Sequence, residues 1–267
     1  MAWSATHRAL DQAVDRGHIR NGNRIIVDDI IPERRYGMRD LLIITPSRGR
    51  PRQLEGMLHD ALTNASLQTD VAVAYDNDDD VAKYEALRSA VDKGTTGQRV
   101  WWHTGPRNDL TGWTNHLALK YADRYRFLAS LGDDHRPQVI GWDRKLTGAG
   151  AIAYGNDLHE GSNLPTAVVI RSDIVKALGW FCLPACRHYW IDNVWKDLGE
   201  GAGCLAYCEN VVIEHLHPLA GTAPKDNTYV EALDNHFDSD RAAYEAWFRD
   251  RRLADIATVK TCLNSAE

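Results

Sequence analysis

Four short apolar runs, the first three each followed by helical periodicity, constrain this chain more than any other feature. Leu41–Ile44 precedes residues 52–65, where Leu54, Met57, Leu58, Ala61 and Leu62 share one helical face. Val71–Tyr75 precedes a helical pattern over 81–91, and Arg99–Thr104 precedes a glycine-rich entry to a helix carrying Leu117, Ala118 and Tyr121. The fourth run, Phe127 to Leu131, lies within the stretch Tyr125–Pro137. Strand-then-helix units in series require crossover connections, which are right-handed between parallel strands. The pattern predicts an α/β fold with a mainly parallel sheet flanked by helices. Open sheets of this kind bind ligands beyond the carboxyl ends of their strands. The residues that end each run are therefore the candidates for function.

The fourth run stops at Gly132 and two adjacent carboxylates, Asp133 and Asp134, followed by His135 and Pro137. Neighbouring carboxylates with no lysine beside them suit a hard divalent cation such as Mg2+ or Mn2+. The plainer alternative is an acidic turn, since Gly and Asp are ordinary turn residues. The first run ends in the polar loop Thr45-Pro46-Ser47-Arg48-Gly49-Arg50-Pro51. A strand, a tight polar loop and a helix N-terminus make an anion site, and Arg48 and Arg50 add guanidinium forks for phosphate. The loop is neither a Walker sequence nor G-x-G-x-x-G. The second run ends in Asp76–Asp80. Asp79 or Asp80 is placed to cap the next helix, and Asp76, at the strand's very end, is the one expected in the crevice.

After the acidic pair the rhythm changes. Residues 150–158 read as a strand ending in Asn156 and Asp157, and Ala167–Ile170 as a strand leading into a helix capped by Ser172. A further helix turns Ile191, Val194, Trp195 and Leu198 inward and carries Asp192 and Asn193 in its first turn. The strand after it ends in Glu214, His215, Leu216 and His217, and in an extended segment the two histidines project to the same face. From Asp226 to Asp255 the pattern is helical and rich in aromatics, which suits packing back on the core.

Composition narrows the class. With 267 residues, 44% hydrophobic and 25% charged, the chain matches an ordinary globular protein of one large or two small domains. No apolar run approaches the roughly 18 residues of a membrane span, and the first residues lack the apolar core of a secretory signal, so a cytoplasmic location is expected. The net charge of −6 argues against a protein that coats nucleic acid, yet leaves room for a local basic face. Residues 2–16 look helical, and the first 52 residues hold ten arginines against six acids, either a partner-facing surface or a solvated extension. Five cysteines, an odd number, point to reduced thiols. Two C-x-x-x-C pairs raise a zinc site, but Cys204 and Cys208 in an extended segment would stand about 13 Å apart, too far to share a metal.

In combination these residues resemble a GT-A-fold, family 2-like glycosyltransferase. The loop TPSRGRP, Asp76, a helix bearing Asn115, the acidic pair and a later Asp-bearing helix stand in that family's order. More narrowly, the chain is similar to a phage and actinobacterial glycosyltransferase group through the phrases GDDHRP, GWD, YGNDL, LPTAVV, ALGW, DNVWKDLG and VVIEHLHP. The resemblance covers Leu41 to Tyr229. It implies a catalytic GT-A domain with a mixed, mainly parallel sheet (41–222), flanked by an Arg-rich extension (1–40) that falls outside the resemblance and by a C-terminal helical segment (223–267) expected to pack on the core.

The activity that the resemblance implies is metal-dependent transfer of a sugar from a nucleotide-diphosphate sugar to an acceptor hydroxyl. In that family an Asp-x-Asp motif holds a Mn2+ or Mg2+ that bridges the donor's phosphates. Here Gly132 takes the first place, leaving Asp134 as metal ligand and Asp133 behind it or on the donor ribose. A further ligand is expected from His215 or His217, unless the two merely finish a strand. Thr45, Pro46, Ser47, Asp76 and Asn115 fall to the donor nucleotide, and Arg48, Arg50 and Arg107 can neutralise the departing diphosphate. Asp192 matches the position of the catalytic base; its alternative is a helix N-terminal acid stabilised by the dipole. Asp157 is its rival, or with Asn156 binds sugar hydroxyls, and Trp195 is either an acceptor platform or core. Some retaining enzymes share this fold and need no base, so the stereochemistry stays open. Acceptor candidates are a phage structural protein, a modified base in DNA, and a saccharide or lipid. Two other classes compete: a sugar nucleotidyltransferase, which would carry a Gly-rich signature with a lysine after the first strand, and a non-catalytic carbohydrate-binding or virion-associated protein on the same scaffold.

Overall fold

The computed structural model describes residues 37–94 and 97–265, with the short pieces 20–21, 24–25 and 27–28; the helix expected over 2–16 lies outside them. The first half runs β1 (Arg39–Pro46), α1 (Pro51–Thr63), β2 (Thr69–Asp76), α2 (Val81–Gly94), β3 (Val100–Gly105), α3 (Leu110–Tyr121) and β4 (Tyr125–Ser130). The second half runs β5 (His135–Pro137), α4 (Trp142–Ala149), β6 (Ile152–Asn156), β7 (Val168–Arg171), α5 (Ser172–Leu178), α6 (Ile191–Ala202), β8 (Leu205–His215), α7 (Asn227–Asp250) and α8 (Arg252–Asn264).

These strands form one sheet in the order β3-β2-β1-β4-β7-β6-β8-β5, with residues 27–28 paired antiparallel on the outer edge of β3. The four predicted runs are mutually parallel. Beyond them β7 is antiparallel to both β4 and β6, β8 is parallel to β6, and β5 is antiparallel to β8. The parallel rhythm ends where the helical crossovers end. Only a single 3-10 turn, Gly161–Asn163, separates β6 from β7, and so short a connection can join only antiparallel neighbours.

Side chains alternate across β1. Leu42 and Ile44 pack beneath α3, α5, α6 and α8, while Leu41 and Ile43 pack against α1, α2 and α4. Helix α1 opens with Pro51 and buries Leu54, Met57, Leu58, Ala61 and Leu62, the face its periodicity predicts. Ser172 does not cap α5: it is already the first helical residue, and its hydroxyl is buried. The expected C-terminal helical run breaks at Arg251 into α7 and α8, and Trp247 Nε1 donates to Asp255 Oδ2 at 2.8 Å across the break. All five cysteines are free thiols. Among the described residues no helix is long and apolar enough to cross a membrane.

Candidate active site

The chain builds β1, β2 and β3 in one direction, then returns to the other side of β1 to lay down β4. That reversal opens a crevice between the carboxyl ends of β1 and β4. From the β1 side comes the loop 47–50, and from the β4 side Gly132, Asp133 and Asp134. Ser47 Oγ donates to Asp133 Oδ2 at 2.7 Å. Tyr84 Oη stands 3.1 Å from Ser47 Oγ and accepts the Arg50 N–H at 3.3 Å. Arg50 Nη1 lies 3.4 Å from Asp133 Oδ1 and 3.3 Å from Asp134 Oδ2. Burial, reinforced by Asp134, pushes the Asp133 carboxyl up to about 7 against Arg50 and Ser47.

Strand register brings the next pair together. His215 on β8 is directly opposite His135 on β5, so the imidazoles stack with centroids 4.3 Å apart. Asp134 Oδ1 lies 3.4 Å from His135 Nδ1 and 3.6 Å from His215 Nε2. Burial works to raise Asp134, but His135 and His215 outweigh it and hold the carboxyl well below the usual range. One donor atom from each of the three residues lies within 4.8 Å of the others. A Cβ at Gly132 would stand 2.5 Å from Asp134 Oδ1 and 3.0 Å from His135 Nδ1. A side chain at position 132 would therefore push the Asp134 carboxylate and the His135 ring out of this arrangement. A carboxylate with two imidazoles is a donor set that fits Mn2+ or a similar divalent ion.

His217 is not one of the three clustered donors, although its ring centroid lies 4.9 Å from that of His215. β8 ends at His215, so the strand alternation that would align the two histidines does not continue. His217 Nδ1 accepts the Leu219 N–H at 3.3 Å, and its ring stacks on His159 and meets the edge of Tyr229.

The crevice widens into a cavity of about 550 Å³. Pro46, Ser47, Arg48, Arg50, Asp76 and Arg107 line it together with the Asp134 cluster and with Tyr189, Trp190, Asp192 and Phe237. Arg48 Nη1 binds Asp76 Oδ2 at 2.9 Å and Asp78 Oδ1 at 2.7 Å. Asp76 Oδ1 accepts Trp113 Nε1 and the Asn108 N–H, and Arg107 pairs with Glu231 of α7. Asp192 sits in the first turn of α6 and takes no hydrogen bond among the described residues. Burial pushes its carboxyl up to about 7 against the pull of His215, with Asp157 and Glu160 adding to the rise. The loop before it ends at Trp190, held at φ 66°, a left-handed conformation that bulky residues rarely adopt. Asp240 on α7, 1% exposed, fixes that loop by accepting the N–H groups of Arg187 at 3.0 Å, His188 at 2.8 Å and Tyr189 at 2.8 Å.

Five expected site residues do not line the cavity; four have polar atoms or faces used elsewhere, and Thr45 is simply buried. Asp157, 2% exposed, accepts three successive amides, His159 to Gly161, and the Thr166 hydroxyl; its rival claim to the base role has no free carboxylate behind it. Asn156 Oδ1 accepts the Leu158 N–H. Asn115 clamps Phe181 and Cys182 through three hydrogen bonds. Trp195 is fully buried against Trp180 and Phe181, as core rather than platform. Thr45 is fully buried, its hydroxyl without a hydrogen-bond partner among the described residues. Conversely, His135, Tyr84, Asp226 and Asp240 belong to the site or its frame without having been singled out. His135 had a local signal, its place directly after the acidic pair. The others act across long separations that no local pattern encodes.

No family model matches the sequence, and no curated protein matches it. Among solved structures the chain is similar to a mannosyltransferase from Pyrobaculum calidifontis in complex with GDP-Man and Mn2+, with a TM-score of 0.55 at 10% identity over 90% of this chain and 78% of that one. S. aureus TarS 1–349 gives 0.47 at 10% identity over 79% and 73% of the two chains. A mycobacterial protein gives 0.45 at 11% identity over 73% and 74%. The architecture of this chain is the GT-A glycosyltransferase fold, a mixed α/β sheet whose switch point carries the cavity.

Proposed function

We propose that the protein is a metal-dependent glycosyltransferase that moves a sugar from a nucleotide-diphosphate sugar to an acceptor hydroxyl. One observation carries this reading. The Asp134–His135–His215 group, the Arg48 and Arg50 loop, and a carboxyl of near-neutral acidity, Asp192, all open on one switch-point cavity.

A divalent ion held by Asp134, His135 and His215 would supply positive charge for the diphosphate as it leaves. Arg48 and Arg50 add fixed cationic forks on the same side. Asp192 lines the same cavity and, once ionised, can take the acceptor's proton as general base. Tyr189, Trp190 and Phe237 line the same cavity and offer it aromatic surface that suits an acceptor. The narrower grouping with family 2-like transferases of phages and actinobacteria rests on the sequence phrases quoted above.

The test is a donor screen. Purified protein is incubated with UDP-, GDP- and TDP-sugars, with Mn2+ or with EDTA, and release of the nucleoside diphosphate is followed. The expected result is metal-dependent release from one donor, lost in Asp134→Ala. No release and no thermal shift with any donor would sink the proposal in favour of a non-catalytic binding protein.

A further inference from the structure

Every nitrogen of the Arg50 guanidinium already faces a carboxylate. Nε and Nη2 meet Asp226 Oδ2 and Oδ1 at 2.7 and 2.8 Å, fork on fork, while Nη1 faces Asp133 and Asp134 at longer range. Asp226 comes from a remote part of the chain, where it caps α7 by accepting the Tyr229 N–H at 2.9 Å. Two further ties bind the same turn of α7 to the donor side of the cavity. Thr228 Oγ1 donates to the Arg48 carbonyl at 3.1 Å, and Glu231 pairs with Arg107. A carboxylate bound bidentately to arginine presents the same two-oxygen edge as a phosphate. A phosphate that reaches the Nε–Nη2 edge of Arg50 must therefore take the place of Asp226.

Resting on the glycosyltransferase reading, we propose that Asp226 is an intramolecular competitor for the diphosphate of donor and product at Arg50. It holds the guanidinium when no nucleotide is bound, yields it to an incoming diphosphate, and reclaims it as the product departs. No covalent step is involved. The exchange weakens diphosphate binding and speeds its release.

Asp226→Asn isolates this role. Asparagine caps a helix as well as aspartate does, so the start of α7 is kept, while the neutral amide no longer competes as an anion. The full-length wild type and variant are titrated calorimetrically with UDP, GDP and TDP, and with the matching monophosphates, in the presence of Mn2+. The diphosphate bound by the wild type should bind the variant about tenfold tighter, as expected for loss of a charge-assisted competitor. Its dissociation in stopped flow should slow to match, and the gain for the monophosphate should be smaller. Asp226→Ser, which also caps, should behave the same way. Unchanged or weaker diphosphate binding in a variant that melts like the wild type overturns the competitor role alone, as does an equal gain for the monophosphate. A wild type that binds no nucleotide overturns the functional reading, and this inference with it.

Discussion

Ser47 Oγ donates a 2.7 Å hydrogen bond to Asp133 Oδ2 and so ties the end of β1 to the end of β4 across the point where the strand order reverses. The bond is buried, and its acceptor is 5% exposed. Ser47→Ala leaves that carboxylate one partner short, which should cost about 1–3 kcal/mol of stability. The sign of its pH dependence follows from the direction of the Asp133 shift. A carboxyl raised to about 7 contributes its stabilisation below its unfolded value and loses it as pH rises through 7. Removing Ser47, which opposes the rise, should make the deficit larger at pH 8.5 than at pH 5.5. Urea denaturation at the two pH values checks this, and equal deficits would contradict it.

The arrangement of the three metal-capable side chains separates two histidines that the sequence treats alike. Mn2+ at a hundredfold excess over its dissociation constant should stabilise the wild type by about 2.7 kcal/mol, enough for a shift of a few degrees. Asp134→Ala and His215→Ala should abolish the shift. His217→Ala should keep it, since His217 is not among the three clustered donors. Differential scanning fluorimetry with and without EDTA reads the outcome, and loss of the shift in His217→Ala would move the site.

How far the sequence discloses this site depends on the range over which each residue acts. Asp133 and Asp134 are legible because a strand's apolar run and its abrupt stop are both local, and the strand end is where an open sheet binds ligands. Ser47, Arg48 and Arg50 are legible for the same reason. The partnership of His135 with His215 is not, because it is set by the register of β5 on β8, which no spacing within either strand encodes. Asp157, Asn115 and Trp195 show the opposite limit. They are the residue types a sugar site uses, in strand-end and helix positions that suit one. What removes them is that nearby amides have already consumed their polar atoms, or that neighbouring rings cover their faces. Asp192 has the same residue type and a similar location, but no such partner.

That free carboxyl makes a pH prediction. Because burial raises Asp192 to about 7, transfer should increase with pH along a limb centred near 7. Asp192→Asn should lower kcat by about 10²–10⁴-fold while leaving nucleoside diphosphate affinity unchanged. The raised value also means that ionised Asp192 disfavours folding above pH 7, whereas the protonated form below the ordinary carboxylate value carries no such penalty. Asp192→Asn should therefore melt higher than the wild type at pH 8 and close to it at pH 4. A variant that retains transfer would remove Asp192 from the base role.

Asp240 reaches the same chemistry from further away. Its carboxylate accepts three consecutive N–H groups, those of Arg187, His188 and Tyr189, and the chain then passes through the strained Trp190 into the turn that carries Asp192. Consecutive amides converging on one anion form a nest that a neutral amide satisfies poorly, since Asn must point either its NH2 or a single oxygen at them. Asp240→Asn should therefore loosen the 187–190 loop, with a stability loss of about 1–3 kcal/mol. A displacement of about 1 Å at a reacting group can cost 10²-fold in rate, so kcat should fall by roughly tenfold or more. Diphosphate affinity should hold, because the loop that carries Arg48 and Arg50 is anchored by Ser47 on Asp133 and by the Arg50 amide on Tyr84. The pH limb assigned to Asp192 should move toward the ordinary carboxylate range as water enters around it. Steady-state kinetics across pH, set beside calorimetric binding of the diphosphate, distinguish this from general destabilisation. A variant that is merely less stable would keep both the limb and kcat at a temperature where it is fully folded, and Asp240 would then be scaffold only.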